Sequence, residues 1–166
     1  MRDNKFLRSV RAIAFDFDGV FTDNRVFVNE QGQESVACNR SDGFGVGLLR
    51  KAGIHMTIIS MEQNPVVIAR AKKLGLDVVH GCDDKLPVFR QWMQSIGTTV
   101  EDTLFMGNDI NDLECMEYVR TSVAPSDALP LVLRRASIVT ERPGGHGAVR
   151  ELVDAILSAQ DHDRLR

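Results

Sequence analysis

Two aspartates one residue apart, Asp16 and Asp18, stand in AFDFDGVFTD at the end of an apolar run holding Val10, Ala12, Ile13, Ala14, Phe15 and Phe17. Period-2 strand geometry puts both carboxylates on one face. Like charges held that close raise each other's cost of ionisation, so the pair asks for a compensating cation. Further along, Ser60 closes HMTIIS, Lys85 follows GCDD, and Asn108, Asp109 and Asp112 fall within GNDIND. Carboxylates, a hydroxyl and a lysine together suit phosphoryl chemistry. Mg²⁺ takes one or two carboxylates and keeps waters that a substrate phosphate can displace, and its charge offsets the clustered anions. Asp16 is then the candidate nucleophile on phosphorus. Asp18 is the candidate acid for the leaving oxygen and afterwards the base for water. Ser60 and Lys85 are placed to bind the equatorial oxygens, where transition-state charge spreads, and Gly19 permits a tight backbone turn around the phosphoryl group.

These residues act together only if the chain brings them to one edge. Short apolar runs at 10–15, 55–60, 77–80, 103–106, 121–124 and 137–140 read as strands. Amphipathic helical patterns lie between them at about 42–52, 65–74, 85–95, 110–118, 127–135 and 147–159. In the third, Leu86, Phe89, Met93 and Ile96 recur at helical spacing. Asn64 and Pro65 suit a cap and a first helical position. Continuous short strands alternating with helices predict an α/β fold, a Rossmann-like parallel sheet with helices on both faces. One segment breaks the alternation: RVFVNEQGQESVACN, 25–39, reads as an inserted β-hairpin turning at 29–32. No linker, repeat or low-complexity stretch divides residues 1–166, so a single domain is expected, with a fraying polar tail, QDHDRLR. In open α/β sheets ligands bind beyond the carboxyl ends of the strands. Asp16, Asp18, Ser60, Asn108 and Asp109 all fall at such ends.

Composition narrows the classes. A net charge of −3, with Lys and Arg scattered, offers no basic block for nucleic acid or a membrane surface. The apolar runs are far shorter than a bilayer span, and the opening MRDNKFLRSVRA lacks the apolar core of a signal peptide. A cytoplasmic protein is expected. Three cysteines without a CxxC pair read as reduced thiols, and four histidines in no HxH or HExxH pattern argue against zinc.

The order DxDGVxTD, then Ser60, Lys85 and GND-x-x-D resembles the haloacid dehalogenase (HAD) superfamily of phosphatases over about residues 12–152. The resemblance implies Asp16 as nucleophile and Asp18 as acid/base. It also implies Mg²⁺ held by the Asp16 carboxylate, the Asp18 backbone carbonyl and a ligand from the GND loop. The position after Gly107, commonly Asp, is Asn108 here; Asn108 or Asp109 completes the shell, with Asp112 behind it orienting a water or Lys85. No room is left for a cap domain.

DGVFTD, a hairpin, DGFG and a late GGHGAVRE resemble the capless 3-deoxy-octulosonate (Kdo) 8-phosphate phosphatase branch. That likeness implies a homotetramer in which one subunit's hairpin helps close a neighbour's site. The segment after Ser60 departs from this branch: Met61-Glu62 stands where it carries Gly-Arg. Glu62, Arg70 and Lys73, with NRSDG and GNDINDLE, are more similar to the nine-carbon branch. That branch includes KDN and sialic acid 9-phosphate phosphatases and the related domains of CMP-sialic acid synthetases. The likeness implies Asp42, Glu62, Arg70 and Lys73 as substrate-binding residues. Arg70 and Lys73, three apart on one helix face, would meet a carboxylate, and Glu62 would accept from sugar hydroxyls. The expected activity is hydrolysis of a phosphorylated nine-carbon 2-keto-3-deoxy sugar acid through an aspartyl-phosphate, with Kdo 8-phosphate as the alternative. A non-catalytic oligomerisation module is a further alternative, which the intact Asp16 and Asp18 disfavour. A phospho-receiver domain is disfavoured because its acceptor Asp ends the third strand, and here that strand ends in VVHG. The loop at 141–147 either lies across the site, with His146 and Arg150 on substrate, or only leads into the last helix.

Overall fold

The computed structural model describes residues 5–160, so the tail from 161 onward lies outside the described residues. After a 3₁₀ turn at Lys5–Leu7 come β1 (Ala12–Phe15) and a hairpin of two short strands, β2 (Phe27–Val28) and β3 (Glu34–Ser35). The chain continues through α1 (Arg40–Lys51), β4 (His55–Ile59), α2 (Val66–Leu74), β5 (Asp77–Val79) and α3 (Lys85–Ser95). It ends with β6 (Thr103–Met106), α4 (Leu113–Tyr118), β7 (Thr121–Ala124), α5 (Pro130–Arg135), β8 (Ile138–Val139) and α6 (Ala148–Ala159). Six strands form one parallel sheet in the order β5-β4-β1-β6-β7-β8. The first strand is therefore central, and the winding reverses beside it, where doubly wound sheets open a crevice.

The strands read as unbroken apolar runs because both of their faces are covered. Ile13, Phe15, Met56, Ile58, Leu104 and Met106 enter one core with α1, α2 and α6. Ala14, Ile59, Phe105 and Ala124 enter the other with α3, α4 and α5. Side-chain caps set two of the helix starts: Asn39 accepts from the Ser41 amide and Asp84 from that of Leu86. Each such cap contributes about 1 kcal/mol. Among the described residues no helix is long and apolar enough to cross a membrane.

Four local differences from the sequence expectations matter for the site. β1 stops at Phe15, and the Val20 and Phe21 amides both donate to the Phe17 carbonyl, so a turn rather than strand alternation places Asp18. The pattern at 110–118 splits into a 3₁₀ turn, Ile110–Asp112, and α4, because Asp109 and Asp112 form a capping box there. The 127–135 pattern becomes helical only at Pro130. The hairpin shrinks to two residues per strand, anchored at its base by a Thr22–Cys38 bridge and by Val36 and Cys38 against the core.

Candidate active site

Three strand ends and one helix start converge beside β1. Lys85, the first residue of α3, donates from Nζ to Asp16 Oδ1 and to Asp112 Oδ1, each at 2.7 Å, with all three side chains buried. Asp112 is fully committed, since its Oδ2 accepts from the Asn108 and Asp109 amides at 2.8 and 3.1 Å. Ser60, buried just past β4, accepts on Oγ from the Glu62 amide at 3.1 Å. Its hydroxyl hydrogen is left to donate to another oxygen.

The charges oppose each other. Burial, with the Asp112 charge beside it, pushes the Asp16 carboxyl up to about 7 against the pull of Lys85. Burial works against the Lys85 charge, yet Asp16 and Asp112 outweigh it and hold the ammonium protonated. Burial also raises Asp18, and Glu62 and Glu34 add to the rise. A carboxyl that keeps its proton more readily is suited to general-acid work.

Around Asp18 the turn is fixed by Thr22, whose Oγ1 donates to Asp18 Oδ1 at 3.3 Å and accepts from the Gly19 amide at 3.1 Å. Gly19 has φ +75°, and a Cβ there would lie 2.0 Å from the Asn108 amide nitrogen. Gly144 packs behind this turn so closely that its own Cβ would meet the Gly19 carbonyl oxygen at 1.9 Å. The 141–147 loop thus buttresses the Asp16–Thr22 turn from behind, and no residue of it lines the cavity; His146 is exposed.

The donor set can hold a magnesium ion. The terminal amide of Asn108 reaches 3.1 Å from Asp16 Oδ2 and 2.7 Å from the Asp18 carbonyl oxygen. With its nitrogen on that side it donates to both. With its oxygen there, it lies 3.1 and 2.7 Å from two further oxygens, separations on either side of the roughly 2.9 Å between neighbouring ligands of a Mg²⁺ with bonds of about 2.0–2.1 Å. Asp109 instead spends Oδ1 on the Ile110 amide at 2.6 Å, as the cap of the 3₁₀ turn. Of the two loop candidates, the geometry brings Asn108 to the nucleophile. Among the described residues no three His, Cys, Asp or Glu side chains converge on a metal position, so a cation here depends on that carbonyl and amide.

A cavity of about 410 Å³ opens over Asp16, Asp18 and Ser60, walled by Met61, Glu62, Gln63 and Asn111. Glu62, expected at substrate, is in the cavity wall. The other three residues expected at substrate stand elsewhere. Asp42 is fully buried, and its Oδ1 accepts from the Arg150 amide at 2.8 Å. Because α1 starts at residue 40, Asp42 falls in its first turn and ties α1 to α6. Arg70 donates to the Asn39 carbonyl at 3.0 Å, and Lys73 is exposed on α2; neither lines the cavity.

Residues not singled out from the sequence also shape the site. Asn64 is a junction: Nδ2 donates to Glu34 Oε2 on β3 at 3.0 Å and the amide to Glu62 Oε1 at 2.7 Å, while Oδ1 accepts from Val66 at 3.0 Å. Its cap position before Pro65 was the available signal. Thr22 could be read from DGVFTD, but Gln63 and Asn111 carry no pattern.

The chain matches the haloacid dehalogenase-like hydrolase family over residues 53–152. It is 36% identical, over 92% of its length and 82% of the relative's, to 3-deoxy-D-manno-octulosonate 8-phosphate phosphatase of Yersinia pestis. A HAD family hydrolase of Streptomyces avermitilis shares 45% identity with a TM-score of 0.89, covering 90% of this chain and 86% of that one. The Moraxella catarrhalis 3-deoxy-D-manno-octulosonate 8-phosphate phosphatase, solved with magnesium, phosphate and KDO, superposes with a TM-score of 0.91 at 28% identity, covering 95% and 91%.

Proposed function

Because the chain belongs to the haloacid dehalogenase-like hydrolases, we propose that it is a Mg²⁺-dependent phosphomonoesterase acting on 3-deoxy-D-manno-octulosonate 8-phosphate. One observation carries the chemistry: buried Lys85 holds Asp16 and Asp112 at 2.7 Å while the Asn108 amide reaches the other Asp16 oxygen. Asp16, the Asp18 carbonyl and Asn108 would hold the magnesium, whose charge would stabilise a bound phosphate and favour the ionised Asp16.

Asp16 attacks phosphorus, and the bond to the ester oxygen breaks as Asp18 hands that oxygen its proton. Asp18, now a base, takes a proton from water. The water oxygen displaces the phosphoryl group from Asp16, releasing inorganic phosphate and restoring both residues. Ser60 donates its free hydroxyl hydrogen, and Lys85 its charge, to the equatorial oxygens.

The eight-carbon substrate takes precedence over the nine-carbon one for two reasons. The relatives at 36% and 28% identity are phosphatases of that compound. Arg70 and Lys73, which supported the nine-carbon reading, stand away from the cavity. A second reading, a nonulosonate 9-phosphate, is favoured by Met61-Glu62 in the cavity wall, where the octulosonate branch carries Gly-Arg. Assembly as a homotetramer is supported by the hairpin, which leaves Val26, Phe27 and Val28 about half or more exposed, at 49%, 61% and 62%.

Turnover of Kdo 8-phosphate and a nonulosonate 9-phosphate, side by side on wild type and Asp16→Asn, tests the proposal. Octulosonate should be preferred and Asp16→Asn inactive. Preference for the nine-carbon ester selects the second reading, and an active Asp16→Asn overturns the mechanism.

A further inference from the structure

The Asn108 side chain is held in place but free in one respect. Its backbone amide donates to Asp112 Oδ2 at 2.8 Å, and its carbonyl accepts from the Leu129 amide at 3.0 Å. Its side chain fills the space left by the missing Cβ of Gly19 and is buried. What remains is rotation about the terminal amide torsion, which is broad and roughly two-fold. That rotation exchanges nitrogen for oxygen with almost no change of shape. The group it presents to Asp16 Oδ2 and the Asp18 carbonyl, at 3.1 and 2.7 Å, is therefore a donor in one orientation and an acceptor in the other.

We infer that Asn108 serves the metal site in two orientations, its amide nitrogen bridging Asp16 Oδ2 and the Asp18 carbonyl when the site is empty, and its amide oxygen ligating the cation when it is filled. The inference rests on the magnesium-dependent reading above. Two oxygens pointed at one spot need either a cation or a hydrogen-bond donor. An amide supplies the donor and then, turned over, becomes an oxygen ligand. A carboxylate at 108 could do only the second. It would also bring a further anion to a pocket that already holds the buried carboxylates of Asp16 and Asp112. The residue thus keeps the nucleophile turn assembled without metal, and the uncharged ligand binds the cation less tightly.

The test uses the full chain stripped with EDTA. Magnesium is titrated into wild type, Asn108→Asp and Asn108→Ala by calorimetry, metal-free melting is recorded for each, and the wild-type Asn108 side-chain NH₂ resonances are followed by ¹⁵N NMR. Asn108→Asp should bind Mg²⁺ at least about tenfold more tightly yet melt lower without metal. Asn108→Ala should lose both metal affinity and metal-free stability. In wild type the NH₂ resonances should shift with the same midpoint as the calorimetric isotherm. Stoichiometric binding with unmoved NH₂ resonances overturns the inference alone. So does Asn108→Asp that melts like wild type without metal. If Asn108→Asp does not fold, the NH₂ resonances and Asn108→Ala still decide. A wild type that takes up no Mg²⁺ at millimolar concentration overturns the magnesium-dependent reading and the inference with it.

Discussion

The strand-end cluster under the cavity and the hairpin, joined to the loop after β4 by the Asn64–Glu34 hydrogen bond, are built in opposite ways. Asp16, Ser60, Lys85, Asn108 and Asp112 are buried, and each is held by a hydrogen bond to another of them or to a backbone amide. The hairpin has two-residue strands, an exposed apolar tip and one side-chain contact to the loop after β4, from Glu34 to Asn64. A phosphoryl group is the same in every phosphate ester, so its site can be set by core packing. The rest of the substrate varies from ester to ester, and the hairpin, with its exposed apolar tip, is not fixed by core packing in that way. Substitutions in the two regions should therefore fail differently.

The largest effect is expected where chemistry is concentrated. Asp16→Asn should lower kcat by about four to six orders of magnitude, the scale of losing a nucleophile. Its far-UV circular dichroism should be unchanged, and a loss smaller than tenfold would give the nucleophile's role to another residue. Lys85→Met should act on fold as well as rate. It strands two buried carboxylates, and breaking a buried ion pair from one side costs about 3–5 kcal/mol. Chemical denaturation should show that loss; stability within 1 kcal/mol of wild type would mean the cluster is solvated after all.

The cluster should also be visible in pH. The Asp16 carboxyl is raised to about 7 in the folded chain from an ordinary value of 3.8, chiefly by burial and by Asp112. A raised folded pKa favours the fold below the unfolded value, and that advantage disappears as pH climbs through the folded value. Metal-free wild type should lose melting temperature from about pH 4 up to about pH 7. Asp16→Asn should lose less over the same window, with Asp18 and Asp42, raised by burial as well, retaining part of the slope. Equal slopes in the two proteins would mean that Asp16 titrates normally.

The same contrast decides what could be read from the sequence. The sheet and its helices were legible because burial on both faces leaves unbroken apolar runs. Asp16, Ser60 and Lys85 were legible because each closes or follows such a run. Asp18 was found for an incomplete reason: β1 ends at Phe15, and Thr22 with the turn at Phe17 places it. Asp42 could not be told apart from a substrate contact by sequence, because an acidic residue near a helix start looks alike whether it faces substrate or, as here, another helix's backbone amide. Arg70 and Lys73 share a helix face, but the spacing does not say that the face turns from the cavity. Gln63 lines the wall from a loop and Asn111 from the short 3₁₀ turn, and neither leaves a periodicity to find.

Asn64 joins the two regions and sharpens the contrast. Asn64→Ala removes the acceptor for Val66 and the donor to Glu34, so a loss of about 1 kcal/mol is expected from the cap. A purely structural residue would stop there. The bond to Glu62 comes from the Asn64 backbone amide and survives substitution of the side chain; if the Nδ2 bond to Glu34 also positions the hairpin, KM should rise several-fold with kcat nearly constant. Asn64→Asp, which keeps the cap but not the donor to Glu34, should recover the stability and not the KM. Recovery of both by Asn64→Asp would reduce the residue to a cap.

The smallest effect on the fold should come from the hairpin tip, and this is where the contrast is most exposed to failure. Phe27 and Val28 stand mostly in solvent, so replacing both by Ser removes little apolar surface from the core. Substitutions at such positions usually stay within about 0.5 kcal/mol, and the urea midpoint of the isolated chain should barely move. The tip still has a function to lose if it closes a neighbouring subunit's site. Native mass should then fall from tetramer to a smaller species, and KM should rise while single-turnover phosphorylation of Asp16 keeps its rate. A double variant that remains tetrameric with wild-type KM would make the hairpin a passive flap, leaving the cavity walls alone to choose the substrate. Loss of single-turnover rate would be more damaging, since chemistry would then depend on the thinly packed region as well as the buried one.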